Sequence, residues 1–210
     1  MPEGAHSAAA RMFAAGGGGR RPRLVAVHDT ATGTAAAEPY SPNGAQGADG
    51  SVNGDHFRSV LGHFATGVVA ITAIDPESGG PCGLAANSFT SVSLDPPLVA
   101  FCVAHTSSSW PKVREAARHC INILGEQQLP VCRQLAAKGG DKFRDLAWNP
   151  SPSGTPILEG ALAWIDCSIE AEYVAGDHVI VVARVHELNT HGNGDGPLVF
   201  FRGAYGRFHA

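Results

Sequence analysis

The sequence predicts a mainly β, antiparallel protein of barrel or sandwich type with a few short helices. Three observations lead there. Six or seven short apolar runs recur between residues 55 and 210. Turn chemistry rich in Gly, Pro and Asp separates them, and helical periodicity is confined to brief stretches.

Residues 1–54 stand apart. They hold 10 of the 26 glycines, a Gly16–Gly19 run, several alanine clusters and no apolar period. Such a segment buries too little surface to offset its ordering entropy, so a disordered extension (or an upstream start codon) is expected. That reading is preferred over a transit peptide built on Arg11, Arg20, Arg21 and Arg23, and over a short strand at Leu24–Val27. Order is expected from Asp55. Phe57, Val60, Leu61 and Phe64 recur at helical spacing, with Asp55 as the cap and Gly67 as a left-handed stop.

Val68–Ile74 then reads as a strand, and residues 75–81 (DPESGGP) as a turn. The stretch around which the chain is organised follows, Gly83–Pro97 (GLAANSFTSVSLDPP). It is read as one strand whose Ala, Asn, Ser and Thr side chains pack poorly and leave main-chain groups open to a ligand, ended by Pro96 and Pro97. The plainer reading is an edge strand with a solvated face. Leu98–Val103 is the next strand. A serine-capped helix with Pro111 in its first turn runs to Ala117. Its hydroxyl-rich start suits a phosphate or is an ordinary cap. Cys120–Leu124 is a strand and Leu129–Ala137 a helix, while residues 150–156 are irregular. Ala161–Val174 and His178–Leu188 form a long hairpin across Gly176-Asp177, and Leu198–Phe201 is the last short strand.

Composition removes several function classes. A net charge of -4 and a pI near 6.2 provide no basic field for nucleic acid, and no apolar run approaches the ~18 residues of a membrane span. The cysteines Cys82, Cys102, Cys120, Cys132 and Cys167 are odd in number and lack a C-x-x-C pair. That suits reduced thiols in the cytoplasm better than a disulfide framework or zinc site. Only 16% of residues are charged, which hints at a further buried surface such as a subunit interface. No hydrolase, metalloprotease, Walker or dinucleotide fingerprint is present, and no histidine pair has metal spacing, so no metal is expected. His178, just after a Gly-Asp turn, is placed like a site residue or like an exposed hairpin histidine. Arg202 is placed like a phosphate ligand or a solvated strand end.

Residues 57 to about 208 resemble the short-chain flavin reductases, the reductase components of two-component flavin-dependent monooxygenases. The pieces that carry the resemblance are Phe57–Gly62, Thr66–Val69, Asn87–Val99, Asn122–Leu124, Asp141-Lys142-Phe143, Gly160–Trp164, Gly176-Asp177-His178, Pro197-Leu198 and Phe201-Arg202-Gly203. They occur in family order over about three-quarters of the chain.

The resemblance implies a six-stranded Greek-key split β-barrel, the FMN-binding split barrel, as a homodimer over residues 55–210 with flavin near the subunit interface. By position it implies that Pro81, Cys82, Gly83, Leu84 and Ala85 line FMN or FAD, with Asn87 and Ser88 beside the ribityl chain and phosphate. Cys102, Val103 and Ala104 meet the ring edge, and Ser108 and Ser109 hold phosphate. Many relatives carry Arg or Lys near Ser108. The serine here implies phosphate binding weaker by ~1–3 kcal/mol. His178, Phe201, Arg202 and Gly203 are implied at the NADH or NADPH site, with His178 orienting the nicotinamide. The implied reaction is hydride transfer from NAD(P)H to flavin, followed by delivery of reduced flavin to a separate monooxygenase. Two other readings stay open: a split-barrel protein that retains its flavin for its own redox reaction, and a non-catalytic flavin-binding module.

Overall fold

The computed structural model describes residues 23–26, 52–192 and 195–209. The extension expected over residues 1–54 lies largely outside them. Within it, β1 (Arg23–Ala26) pairs antiparallel with the last strand, β13 (Ala204–His209). The helix expected from Asp55 is α1 (Gly54–Leu61). Its cap is Asn53, whose Oδ1 accepts the Asp55 and His56 amides at 2.9 and 3.2 Å. It stops at Gly62 with right-handed φ of -59°. Gly67 instead lies in β2 (Thr66–Gly67), where it pairs with Val199.

Seven strands make the large sheet: β3 (Val69–Ile74), β4 (Pro81–Ala86), β5 (Thr90–Leu94), β6 (Pro97–Ala104), β7 (His119–Ile123), β10 (Ala163–Ala175) and β11 (His178–Thr190). Their order is β4-β3-β7-β10-β11-β6-β5, antiparallel throughout. Gly83–Pro97, expected as one strand, contributes to two, β4 and β5, at opposite edges of this sheet, and Pro97 opens β6. That placement forces the sheet to curl. Laid flat, seven strands put their outer members roughly 29 Å apart. Ala86 and Thr90 are four Cα steps apart, at most about 15 Å. The edges therefore approach each other without pairing, and the sheet is an open barrel whose split runs between β4 and the β5–β6 side.

Alternation along β3 shows how the wall sorts its residues. Val69, Ile71 and Ala73 enter the barrel core with Phe101, Ile121, Ile165, Cys167 and Val181. Val68 and Ala70 face a second core with Leu124, Cys132, Leu135, Phe143, Leu158 and Leu198. The short helix α2 (Trp110–Arg114) plugs the barrel with Val113 and with Trp110, which meets Phe101 edge-on at 5.9 Å. It is shorter than expected, and Ser109 makes no side-chain cap bond. Helix α3 (Leu129–Ala136) covers the second core.

Residues 150–156 are ordered rather than irregular. They contain the turn of a small hairpin, β8 (Trp148–Pro150) with β9 (Pro156–Leu158), fixed by buried polar bonds. The fully buried Asp166 carboxylate accepts from Ser151 Oγ at 2.8 Å, from the Ser153 amide and hydroxyl, and from Arg118 Nε at 3.0 Å. Finally β12 (Leu198–Phe201) pairs with β13 and β2, completing a four-stranded sheet with β1.

Candidate active site

A groove of about 350 Å³ opens at the split. One wall is Leu84, Ala85 and Ala86 of the edge strand β4, continued by Asn87 and Ser88. The other is Cys102, Val103 and Ala104 of β6. An edge strand has one row of main-chain groups without ladder partners, and small side chains leave such a row accessible. Ser88 closes the split where the β5–β6 ladder stops: its Oγ accepts the Cys102 amide at 2.9 Å and donates to the Cys102 carbonyl at 3.1 Å. That hydroxyl is thus engaged with β6 while Ser88 still lines the groove.

Register places His178 at the groove. Residue 178 opens β11 directly opposite Ala104, and its Nδ1 lies 2.6 Å from Asp177 Oδ1. With Nδ1–H donating to that carboxylate, Nε2 remains as an acceptor. The hydrogen bond from His178 draws the Asp177 carboxyl below its ordinary value.

The far end is polar. Thr106, Ser107, Ser108 and Ser109 line it, facing Ala136, Ala137 and Lys138 at the end of α3. Lys142 stands between: its Nζ donates to Ser109 Oγ at 2.6 Å and to the Leu135 carbonyl at 2.7 Å. Desolvation by burial holds the ammonium below the ordinary lysine value, and it pairs with no carboxylate among the described residues. A partly desolvated cation beside hydroxyl donors is built for an anion. The serine at position 108 therefore does not leave the anion end uncharged. The Asp141-Lys142-Phe143 segment supplies the charge, with Phe143 anchored in the second core and Asp141 Oδ1 accepting the Phe143 amide at 3.0 Å. The sequence reading quoted this tripeptide but gave it no role. The Gly139-Gly140 pair before it, a loop that frees the lysine to reach back, was the available signal.

The structure thus gathers Leu84, Ala85, Asn87, Ser88, Cys102, Val103, Ala104, Ser108, Ser109 and His178 around one groove. Pro81, Cys82 and Gly83 line an adjoining cavity. Burial, then the Asp75 carboxylate, push the Cys82 thiol up to about 11, so it stays protonated at neutral pH. Phe201, Arg202 and Gly203 sit elsewhere in this chain, in the β12–β13 turn beside the end of α1. There the Arg202 amide donates to the Gly62 carbonyl at 2.8 Å and Phe201 meets His63 edge-on. No cluster of three or more His, Cys, Asp or Glu suited to a metal occurs among the described residues.

The split of this open antiparallel barrel thus holds a groove with small-sided walls, an imidazole at one end and, at the other, a lysine with no carboxylate partner among the described residues. The chain matches the flavin reductase like domain over residues 61–209, and it belongs to that family. It is 51% identical over 154 residues to a flavin reductase of Pseudomonas putida, covering 73% of this chain and 89% of that one. It is 42% identical over 176 residues to the flavin-dependent monooxygenase reductase subunit HsaB of Rhodococcus jostii, covering 84% and 83%. The crystal structure of a nitrilotriacetate monooxygenase component B homologue from Mycobacterium thermoresistibile superposes with a TM-score of 0.69 at 43% identity, over 72% of this chain and 85% of that one.

Proposed function

We propose that the protein is an NAD(P)H-dependent flavin reductase that hands reduced flavin to a separate monooxygenase component. The observation that carries this reading is the groove at the barrel split, with small walls, exposed main chain and Lys142 at its anion end. A tricyclic ring with a hydroxylated, phosphate-bearing chain fits that donor set. Leu84–Ala86 and Cys102–Ala104 would flank the ring, and Lys142 with Ser108 and Ser109 would hold the phosphate. When bound, the flavin supplies the redox chemistry, taking hydride from NAD(P)H. The chain's own part is geometric and electrostatic. Main-chain donors of the edge strand β4 would meet a ring edge that gains negative charge, while the Cys102 amide of β6 is taken by Ser88, and the Asp177-fixed His178 would offer Nε2 to the incoming nicotinamide. No protein acid or base is required. Arg202 stays assigned to the charged parts of the nicotinamide cofactor, a role that its place beside α1 puts across a subunit boundary.

A homodimer is part of the proposal. Phe57, Val60, Leu61 and Phe64 on and beside α1, and Val92 and Leu94 on β5, are all more than half exposed. The five cysteines are free, in keeping with a reducing cytoplasmic setting. No helix among the described residues is long and apolar enough to cross a membrane. The test is a steady-state assay crossing NADH and NADPH with riboflavin, FMN and FAD. Nicotinamide oxidation that depends on added flavin is expected, and no oxidation with any flavin rejects the reading.

A further inference from the structure

The helix that plugs the barrel is held from inside by one imidazole. His119 opens the central strand β7 and alternates with Ile121, so its ring enters the barrel core, opposite Cys167 in the β10 register. It is 1% exposed. Its Nε2–H donates to the carbonyl of Val113, six residues back in α2, at 2.7 Å. Nδ1 is buried and has no hydrogen-bond partner among the described residues. We propose that His119 is a proton-operated latch: neutral, it closes α2 on the barrel, and protonation at Nδ1 releases α2 together with the polar end of the groove that precedes it.

The neutral ring meets its one donor requirement at Val113 and leaves only a lone pair unmatched. Protonation puts a second N–H and a full charge where nothing accepts them, which a buried site opposes. Asp166 of β10 is the charge that favours protonation, and Arg118 of β7, paired with that carboxylate, opposes it. Cys167 stays a thiol, pushed up to about 12 chiefly by burial. From the other side β3 turns Val69, Ile71 and Ala73 into this core, none of them charged, and α2 offers the ring a main-chain carbonyl already in use. Desolvation wins, and it holds His119 below its ordinary value. With α2 released, the ring regains the ordinary value of about 6.5, so the closed state loses stability as pH falls below that point. One such proton favours the released state about tenfold more at pH 5.5 than at pH 7.5. The groove feels this directly. Ser108 and Ser109 line it immediately before α2, and Ser109 Oγ accepts from Lys142 Nζ. Under the flavin reading above, on which this last step alone rests, mild acid speeds flavin release.

Hydrogen exchange, corrected for the intrinsic pH dependence of the amides, is measured on the ligand-free full-length protein and on His119→Gln. The glutamine amide can donate to Val113 but takes no proton. Wild-type protection at the Val113, Glu115 and Ala116 amides is expected to fall about tenfold between pH 7.5 and 5.5, with β3 amides within about twofold. His119→Gln is expected to hold all of them within about twofold. Unchanged wild-type protection, or an equal fall in the variant, overturns the latch and leaves the reductase reading standing. The FMN dissociation rate, taken alongside, is expected to rise about tenfold more in wild type than in the variant over the same range. An equal rise in both overturns the coupling to the groove. Failure to bind any flavin strikes the reductase reading and leaves the latch. Should His119→Gln not fold, a nuclear magnetic resonance titration of wild type decides: a His119 ring titrating below about 6.5 supports the latch, and one titrating at or above it overturns the proposal.

Discussion

Lys142 shows how one residue acquires a role from a fold. Its ammonium reaches Ser109 Oγ across a separation of 33 residues and carries no carboxylate partner among the described residues. Replacing it with Met keeps most of the stem packing and removes the charge. Lys142→Met is expected to weaken FMN roughly 10–100-fold, as for one charge-assisted phosphate bond, while riboflavin, which lacks the phosphate, changes less than about twofold. Calorimetric titration of both ligands checks it, and equal losses would remove the phosphate assignment. His178 makes the complementary case. Its imidazole is held by Asp177 and is not among the groups proposed to hold the flavin phosphate. His178→Ala is therefore expected to raise the NAD(P)H KM by more than it raises the flavin Kd, and an unchanged KM disproves the orienting role. At this scale the sequence named most of the groove, because family position carries small strand residues well. It missed the charge at the far end, because a contact between residues so far apart leaves no local pattern.

The elements that form the groove depend on two packing devices. In β4, a Cβ on Gly83 would sit 2.8 Å from the Ile71 carbonyl oxygen and 3.3 Å from the Phe143 ring. One contact is main chain of the neighbouring strand, which cannot yield. Gly83→Ala is expected to cost about 1–3 kcal/mol in urea unfolding and to weaken flavin, because β4 must move off β3. The second device is Asp166, which ties the β8–β9 hairpin to β10. Desolvation raises its pKa, but hydrogen bonds from Ser153, Arg118 and Ser151 outweigh that and hold it below the ordinary value. A lowered folded pKa contributes stability above the unfolded value of about 3.9, lost as pH falls through the lower folded one. Asp166→Asn is expected to destabilise by about 2–4 kcal/mol at pH 7, below the top of the range for buried pairs because Arg118 remains 37% exposed. The gap between variant and wild type should narrow in denaturation curves taken below about pH 3.9; a constant gap would mean that Asp166 is not ionised in the fold. Neither device was legible. Period and turn signals located six of the thirteen strands, β3, β6, β7, β10, β11 and β12, to within two residues, but Gly83–Pro97 read as one strand because nothing local reports that its halves pair on opposite edges. Residues 150–156 read as irregular because their order comes from Asp166, outside the segment.

Across the whole molecule, the unresolved account is of apolar surface. The α1 helix buries none of its residues, and Phe57, Val60, Leu61 and Phe64 are 53, 52, 55 and 76% exposed. Leu94 and Leu188 are 70 and 61% exposed. A contiguous stripe at helical spacing is the arrangement that buries against a partner, whereas scattered single residues need no explanation. The low share of charged residues, 16%, agrees with a surface partly withdrawn from water. The homodimer proposed above would also account for Arg202. Its backbone is tied to Gly62 at the end of α1, so an interface built on α1 carries Arg202 into the interface region and gives it a route to a neighbour's groove. Light scattering after gel filtration should give a mass of twice 21.7 kDa. Phe57→Asp with Leu61→Asp places charges on the exposed stripe without opening either core, and is expected to yield a folded monomer with an unchanged circular-dichroism spectrum. If Arg202 serves the neighbouring groove, that monomer loses NAD(P)H affinity to the same extent as Arg202→Ala in the dimer. A wild-type protein of single-chain mass rejects the dimer, and a monomeric variant with full NAD(P)H affinity rejects the shared site while leaving the dimer intact.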